Sequence, residues 1–97
     1  MPYKVYYSFL HRNEDPYLAD TYKLYRQAIS GSSSGSFEYV TGHSAGKVGD
    51  PVLVTGIDYV SGCDTTYNYK VSAINSNGEI FCINPVVSGV NFPCWRP

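Results

Sequence analysis

The chain has 97 residues, 43% of them hydrophobic and 15% charged, and a formal net charge of −1. That length fits one domain with a single core, and the composition excludes a disordered chain. It also lacks an apolar run of the ~18 residues a membrane helix needs, and its basic residues, Lys4, Arg12, Lys23, Arg26, Lys47, Lys70 and Arg96, are too dispersed to neutralise a row of phosphates, so neither a membrane span nor nucleic-acid binding is expected.

From the N-terminus, Tyr3, Val5, Tyr7 and Phe9 alternate with Lys4, Tyr6 and Ser8, which predicts a strand over about residues 3–10. These residues lack the apolar stretch and small-residue cleavage site of a secretory signal, so export by the general pathway is not expected. Polar residues 11–15 and Pro16 end the strand, because proline cannot donate to a central ladder. Tyr22 and Leu24 then share one face and Lys23 and Tyr25 the other, predicting a second strand over 22–27 that Ala28 and Ile29 can extend. Residues 30–36 are all Ser or Gly and read as a flexible connection inside one domain. Residues 37–40 read as a short strand closing a hairpin, 41–50 as loop, 51–57 as a further strand and 58–64 as the turn back.

Residues 65–79 carry the clearest pattern. Tyr67, Tyr69, Val71 and Ala73 recur with period two and face one way, while Asn68, Lys70 and Ser72 face water, as a half-buried antiparallel strand requires. The residues from Asn75 to Gly78 accept positive φ and permit a reversal. Residues 79–84 form the last strand, which 85–90 prolong past a bend at Pro85. Nowhere do about twelve consecutive residues show helical spacing. About six or seven short strands between turn signals predict an all-β antiparallel sandwich, a single domain over residues 1–97 with 91–97 as a C-terminal tail.

The pattern Tyr67-x-Tyr69-x-Val71-x-Ala73-x-Asn75-x-x-Gly78 resembles the sixth strand and following loop of fibronectin type III domains. Tyr22-Lys23-Leu24-Tyr25-Arg26, with the Ser/Gly tract and the strand at 37–40, is similar to the third strand and hairpin of such modules found beside phage and bacterial carbohydrate-active or structural domains. Val54-Thr55-Gly56-Ile57 resembles the strand end before the tyrosine corner. The resemblance spans about residues 20–84 and implies a fibronectin type III or related immunoglobulin-like sandwich. It also implies that Tyr67 is the corner residue, its hydroxyl bonding back to backbone across the turn. The chain departs from the family in lacking a tryptophan on the second strand, in its first strand, which is absent or replaced by residues 3–10, and in the long segment 41–50.

The reactive residues form no catalytic or metal-binding pattern. His11 and His43 lie in polar segments without a carboxylate or Cys at ligand spacing and read as solvated loop histidines. The serines lack a Gly-x-Ser-x-Gly elbow, and neither Glu14 with Asp15 nor Asp58 with Asp64 has the spacing of a calcium loop or a catalytic pair. Neither enzyme activity nor a cofactor is expected. Cys63, Cys82 and Cys94 are odd in number and unlike a zinc site, so they read as buried or incidental thiols, the alternative being one bridge between Cys82 and Cys94.

Surface recognition is what remains. Tyr6, Tyr25 and Tyr59 cannot all face the core and are candidate contact residues, since exposed tyrosines offer area at small entropic cost. Phe92 and Trp95 in the tail either form a docking peptide or fold back over the sandwich in place of the missing core tryptophan. A sandwich with no signal and no chemistry is expected to be a non-catalytic structural or interaction module. The reading favoured is a small phage virion protein, a capsid decoration or tail or collar component assembled in the host cytoplasm, with other virion subunits or its own copies as partners. Two other classes stay open: a carbohydrate or cell-surface binding module, and a small anti-defence inhibitor of a host protein.

Overall fold

A computed structural model describes residues 2–12, 20–31, 33–44, 51–76, 78–81 and 87–94. Among them are eight strands: β1 (Tyr3–Arg12), β2 (Thr21–Ser30), β3 (Ser33–Ser34), β4 (Glu38–Ser44), β5 (Pro51–Val60), β6 (Thr65–Asn75), β7 (Gly78–Phe81) and β8 (Val87–Asn91). β1 and β5 pair antiparallel from Tyr3 opposite Val60 to Arg12 opposite Pro51, forming a two-stranded ribbon. In the second sheet β2 lies beside β6; β3 and β4 pair with the far edge of β2, and β7 and β8 with the far edge of β6. The architecture is all-β and antiparallel, with the two sheets layered as in a β-sandwich.

Register decides which side chains meet between the layers, because a slip of one residue would turn each strand's apolar set outward. Tyr67, Tyr69, Val71 and Ala73 of β6 are buried, as are Tyr22 and Leu24 opposite Ala73 and Val71 on β2. The ribbon contributes Val5, Tyr7, Val54 and Val60, with Tyr3 and Phe9 partly buried beside them. Phe9 meets the Tyr22 ring edge-on at 6.1 Å. Each fully buried large side chain of this kind contributes about 1.5–3 kcal/mol from apolar area alone.

Several local features differ from the sequence reading. β1 runs to Arg12 and takes in His11, expected in a loop, and β5 runs to Val60, which puts Asp58 and Tyr59 on a strand and not in the turn. β4 continues to Ser44 instead of ending at Val40, with Val40 as an extra residue where the register shifts opposite Leu24 and Tyr25. This bulge re-aims the strand, so His43, opposite Tyr22, turns toward the ribbon and its Nε2 lies 2.9 Å from the Tyr7 hydroxyl, rather than standing solvated in a loop. Ser72, expected in water, is fully buried, its hydroxyl donating to Glu79 on β7. The Ser/Gly tract is fastened to β2: Ser33 and Ser34 pair with Ser30 and Ile29, and the Gly35 amide donates to the Ala28 carbonyl at 3.0 Å. Finally, β7 and β8 follow one another along the same edge of β6, and the bend at Pro85 falls outside the described residues.

Gly56 lies opposite Tyr7 and has no room for a side chain, since a Cβ there would come within 2.3 Å of the phenol oxygen and 2.5 Å of Cζ. Gly56→Ala must displace a ring that is 6% exposed. Overpacking of this kind costs about 1–3 kcal/mol, which for a domain this size lowers the melting temperature by roughly 10 °C. Thermal denaturation checks it, with Thr55→Ala on the exposed face of the same strand expected to shift by no more than about 0.5 kcal/mol.

Candidate interaction surface

The turn from β5 to β6 is held by Tyr67. Its hydroxyl accepts the Gly62 amide hydrogen at 2.9 Å and donates to the Gly62 carbonyl at 3.4 Å. Only glycine fits there, because a Cβ on residue 62 would sit 2.6 Å from that oxygen. The chain after β8 docks against the same turn: the Asp64 amide donates to the Phe92 carbonyl at 2.7 Å, and the Cys94 amide donates to Asp64 Oδ1 at 3.2 Å.

Cys94 is disulfide-bonded to Cys63, not to Cys82, and neither Cys63 nor Cys94 is a free thiol. Register explains the pairing. β8 places Asn91 opposite Thr66 and Val90 opposite Tyr67, and continuing that ladder past Thr66 brings residue 94 opposite residue 63. Cys82 and Trp95 lie outside the described residues. Phe92 is not a projecting anchor; it stacks on Tyr3 with centroids 4.7 Å apart and packs against the core, the fold-back alternative for the tail.

A polar group joins the two layers. Asp58, on the inward face of β5 opposite Val5, is 7% exposed. Its Oδ2 accepts from Arg26 Nη1 at 2.7 Å and from the Tyr69 hydroxyl at 2.6 Å. Asp58 and Asp64 therefore serve different contacts and do not form a carboxylate pair. Burial, and then the hydrogen bond to Asp58 and its charge, push the Tyr69 phenol well above its ordinary value, against the opposing effect of Arg26. Below about pH 10 the folded and unfolded chains both keep this proton and the contribution to stability is fully present. Above that pH the unfolded chain releases it while the folded chain holds it, so stability should fall by up to about 1.4 kcal/mol per pH unit. Urea unfolding between pH 8 and 11.5 should show the decline, with a shallower slope in Tyr69→Phe. Among the described residues no three His, Cys, Asp or Glu side chains are grouped to hold a metal ion.

The two outer faces differ in kind. On the larger sheet the side chains engage one another: Tyr25 donates to Glu79 at 2.6 Å, Asn68 to Gln27 at 3.2 Å, and the Lys70 ammonium lies 4.1 Å from the centroid of Phe37. The hydrogen bonds from Ser72 and then Tyr25 hold the Glu79 carboxyl below its usual range. Tyr25 is thus part of a cross-strand polar cluster. The outer face of the ribbon is apolar instead. Register arranges it in rows, Lys4 with Tyr59, Tyr6 with Ile57, Ser8 with Thr55, and Leu10 with Leu53. Tyr6, Leu10, Leu53, Ile57 and Tyr59 are 68%, 69%, 67%, 42% and 55% exposed.

Of the three tyrosines expected at the surface, the structure therefore brings Tyr6 and Tyr59 together and places Tyr25 on the opposite layer. Sequence reading did not single out Leu10, Leu53 or Ile57. The signal that finds them is the shared parity of residues 53, 57 and 59 on β5, against 56 and 58 on the inward side. Two concavities adjoin this face. A shallow depression of about 530 Å³ is bounded by Tyr6, Ser8, Thr55 and Ile57. A cleft of about 240 Å³ lies between Arg26, Ser36, Glu38, Tyr59 and Ser61.

Comparison with protein-family models, with curated proteins and with solved structures gave no match.

Proposed function

We propose that the chain is a non-catalytic interaction module of an assembled particle, built as a fibronectin type III-like sandwich and working through the outer face of the β1–β5 ribbon. The observation that carries this is one outer face on which Tyr59, Tyr6 and Ile57 adjoin one another and Leu10 and Leu53 follow beyond Ser8 and Thr55, the five apolar side chains each 42–69% exposed. Single exposed apolar residues need no explanation, but a contiguous patch marks a contact site. The hydrogen bonds of Tyr67 to Gly62 support the fibronectin-like reading of the turn. Within this class we favour a small phage virion protein, a capsid decoration or a tail or collar component. The Cys63–Cys94 bridge supports a place at a particle surface, because disulfides persist at virion surfaces and are kept reduced in the cytosol. A subunit assembled in the host cytoplasm would close the bridge after release.

Mass analysis of purified particles tests the reading. The chain is expected in a fixed copy number, with Cys63 and Cys94 protected from alkylation until reduced. Its absence from particles removes the proposal. A second reading, glycan binding, is supported by the cleft beside Arg26, where two tyrosines, an arginine, a glutamate and two serines line one small space. Binding of the isolated monomer on a glycan array would favour it.

A further inference from the structure

We infer that the outer face of the ribbon seats a second copy of this chain, stacked face to face about a two-fold axis lying in the plane of the ribbon and across its strands. The inference rests on the reading of this face as the working surface and names its partner.

The face is self-complementary in that one orientation. Its rows, spaced by two residues or roughly 7 Å, run from Lys4 and Tyr59 through the bulky pair Tyr6 and Ile57 and the small pair Ser8 and Thr55 to Leu10 and Leu53. The two-fold passes between the bulky and the small row. Tyr6 then lies over Ser8 of the partner subunit and Ile57 over the partner's Thr55, so each bulky row enters the depression that Ser8 and Thr55 leave in the other copy. A two-fold along the strands would set bulky on bulky and small on small, leaving that depression unfilled. Close packing rejects such a void.

Charge and area agree. Among the eight outward residues from Lys4 to Leu10 and from Leu53 to Tyr59, Lys4 is the one charged side chain, and the next row beyond Leu10 and Leu53 is Arg12 with Pro51. The chosen axis puts each Lys4 over the partner's Leu10, at opposite ends of the contact, so like charges are kept apart. At the exposures found, large side chains of ~200 Å² each leave about 600 Å² per copy, near the lower limit of ~1,200 Å² in total for a specific interface.

Sedimentation of the whole chain from 1 to 200 µM tests the stacking. The wild type should show a reversible monomer–dimer equilibrium. Thr55→Lys and Ile57→Glu, both at exposed positions, should each weaken it at least 100-fold. Mixed in equal amounts they should re-form a dimer that salt weakens, because the new ammonium of one chain faces the new carboxylate of the other. Should either variant fail to fold, Leu10→Glu replaces them: its carboxylate faces the partner's Lys4, and the dimer is expected to survive and become salt-sensitive. A folded wild type that stays monomeric at 200 µM overturns the inference. So does a wild-type dimer whose folded variants do not complement each other, or one that Leu10→Glu abolishes. A monomeric result leaves the face open to other subunits, whereas absence from particles removes the broader reading whether or not the chain dimerises.

Discussion

Asp58→Ala is expected to cost about 3–4 kcal/mol of folding free energy, and correspondingly to lower the melting temperature by well over 10 °C. The substitution removes the acceptor shared by Arg26 and Tyr69, leaving a guanidinium and a phenol between the layers without the carboxylate to which both donate. Arg26 keeps 27% of its side-chain surface in water, which holds the figure at the lower end of the range for a broken buried pair. Asp58→Asn, which retains an acceptor but loses the charge, should cost less. The informative control is the triple variant Asp58→Ala, Arg26→Met, Tyr69→Phe. Replacing a whole buried ionic group with apolar residues is often neutral, so this chain should recover much of the loss. Chemical denaturation of the four proteins measures the differences, and a single variant within 1 kcal/mol of wild type would show that the link between layers contributes little.

Loss of the Cys63–Cys94 bridge should be comparable in size. It joins residues 31 apart in sequence, and closing a loop of that length removes about 3–4 kcal/mol of unfolded-chain entropy. Cys63→Ser with Cys94→Ser, compared in a Cys82→Ser background so that no third thiol can exchange, isolates the effect. Urea unfolding with and without reductant should show the same loss, and reductant should leave the double variant unchanged. The damage should be local before it is global. Hydrogen exchange at the Asp64 amide, bonded to Phe92 O, should accelerate more than exchange at Val71 in the middle of β6. An unchanged midpoint would mean that the Tyr3–Phe92 stack and the β8 ladder hold the segment without help.

The sandwich was legible where one period ran unopposed. On β6 the alternation of Tyr67, Tyr69, Val71 and Ala73 with polar neighbours leaves one arrangement, and the structure has it. On β2 the same holds for Tyr22 and Leu24. The outer face of the ribbon was half legible, Tyr6 and Tyr59 standing out as surplus to the core, while Leu10, Leu53 and Ile57 were hidden by the opposite circumstance. Along β5 both parities are largely apolar, and polarity alone would turn Asp58 and Gly56 to water and Leu53, Ile57 and Tyr59 to the core. The fold reverses this because Asp58 finds Arg26 and Tyr69 across the layers and because Tyr7 needs the space above Gly56. Both causes lie on other strands, beyond the reach of a local pattern. The disulfide was hidden for a related reason: which cysteines meet depends on the pairing of β8 with β6, which spacing along the chain does not encode.

The crosslink between residues 63 and 94 also has a mechanical meaning. Tension on the chain beyond residue 94 would not unzip β8 one rung at a time, because the covalent tie delivers the load straight to the hairpin bend where Tyr67 grips Gly62. Reduced, the same ending would peel.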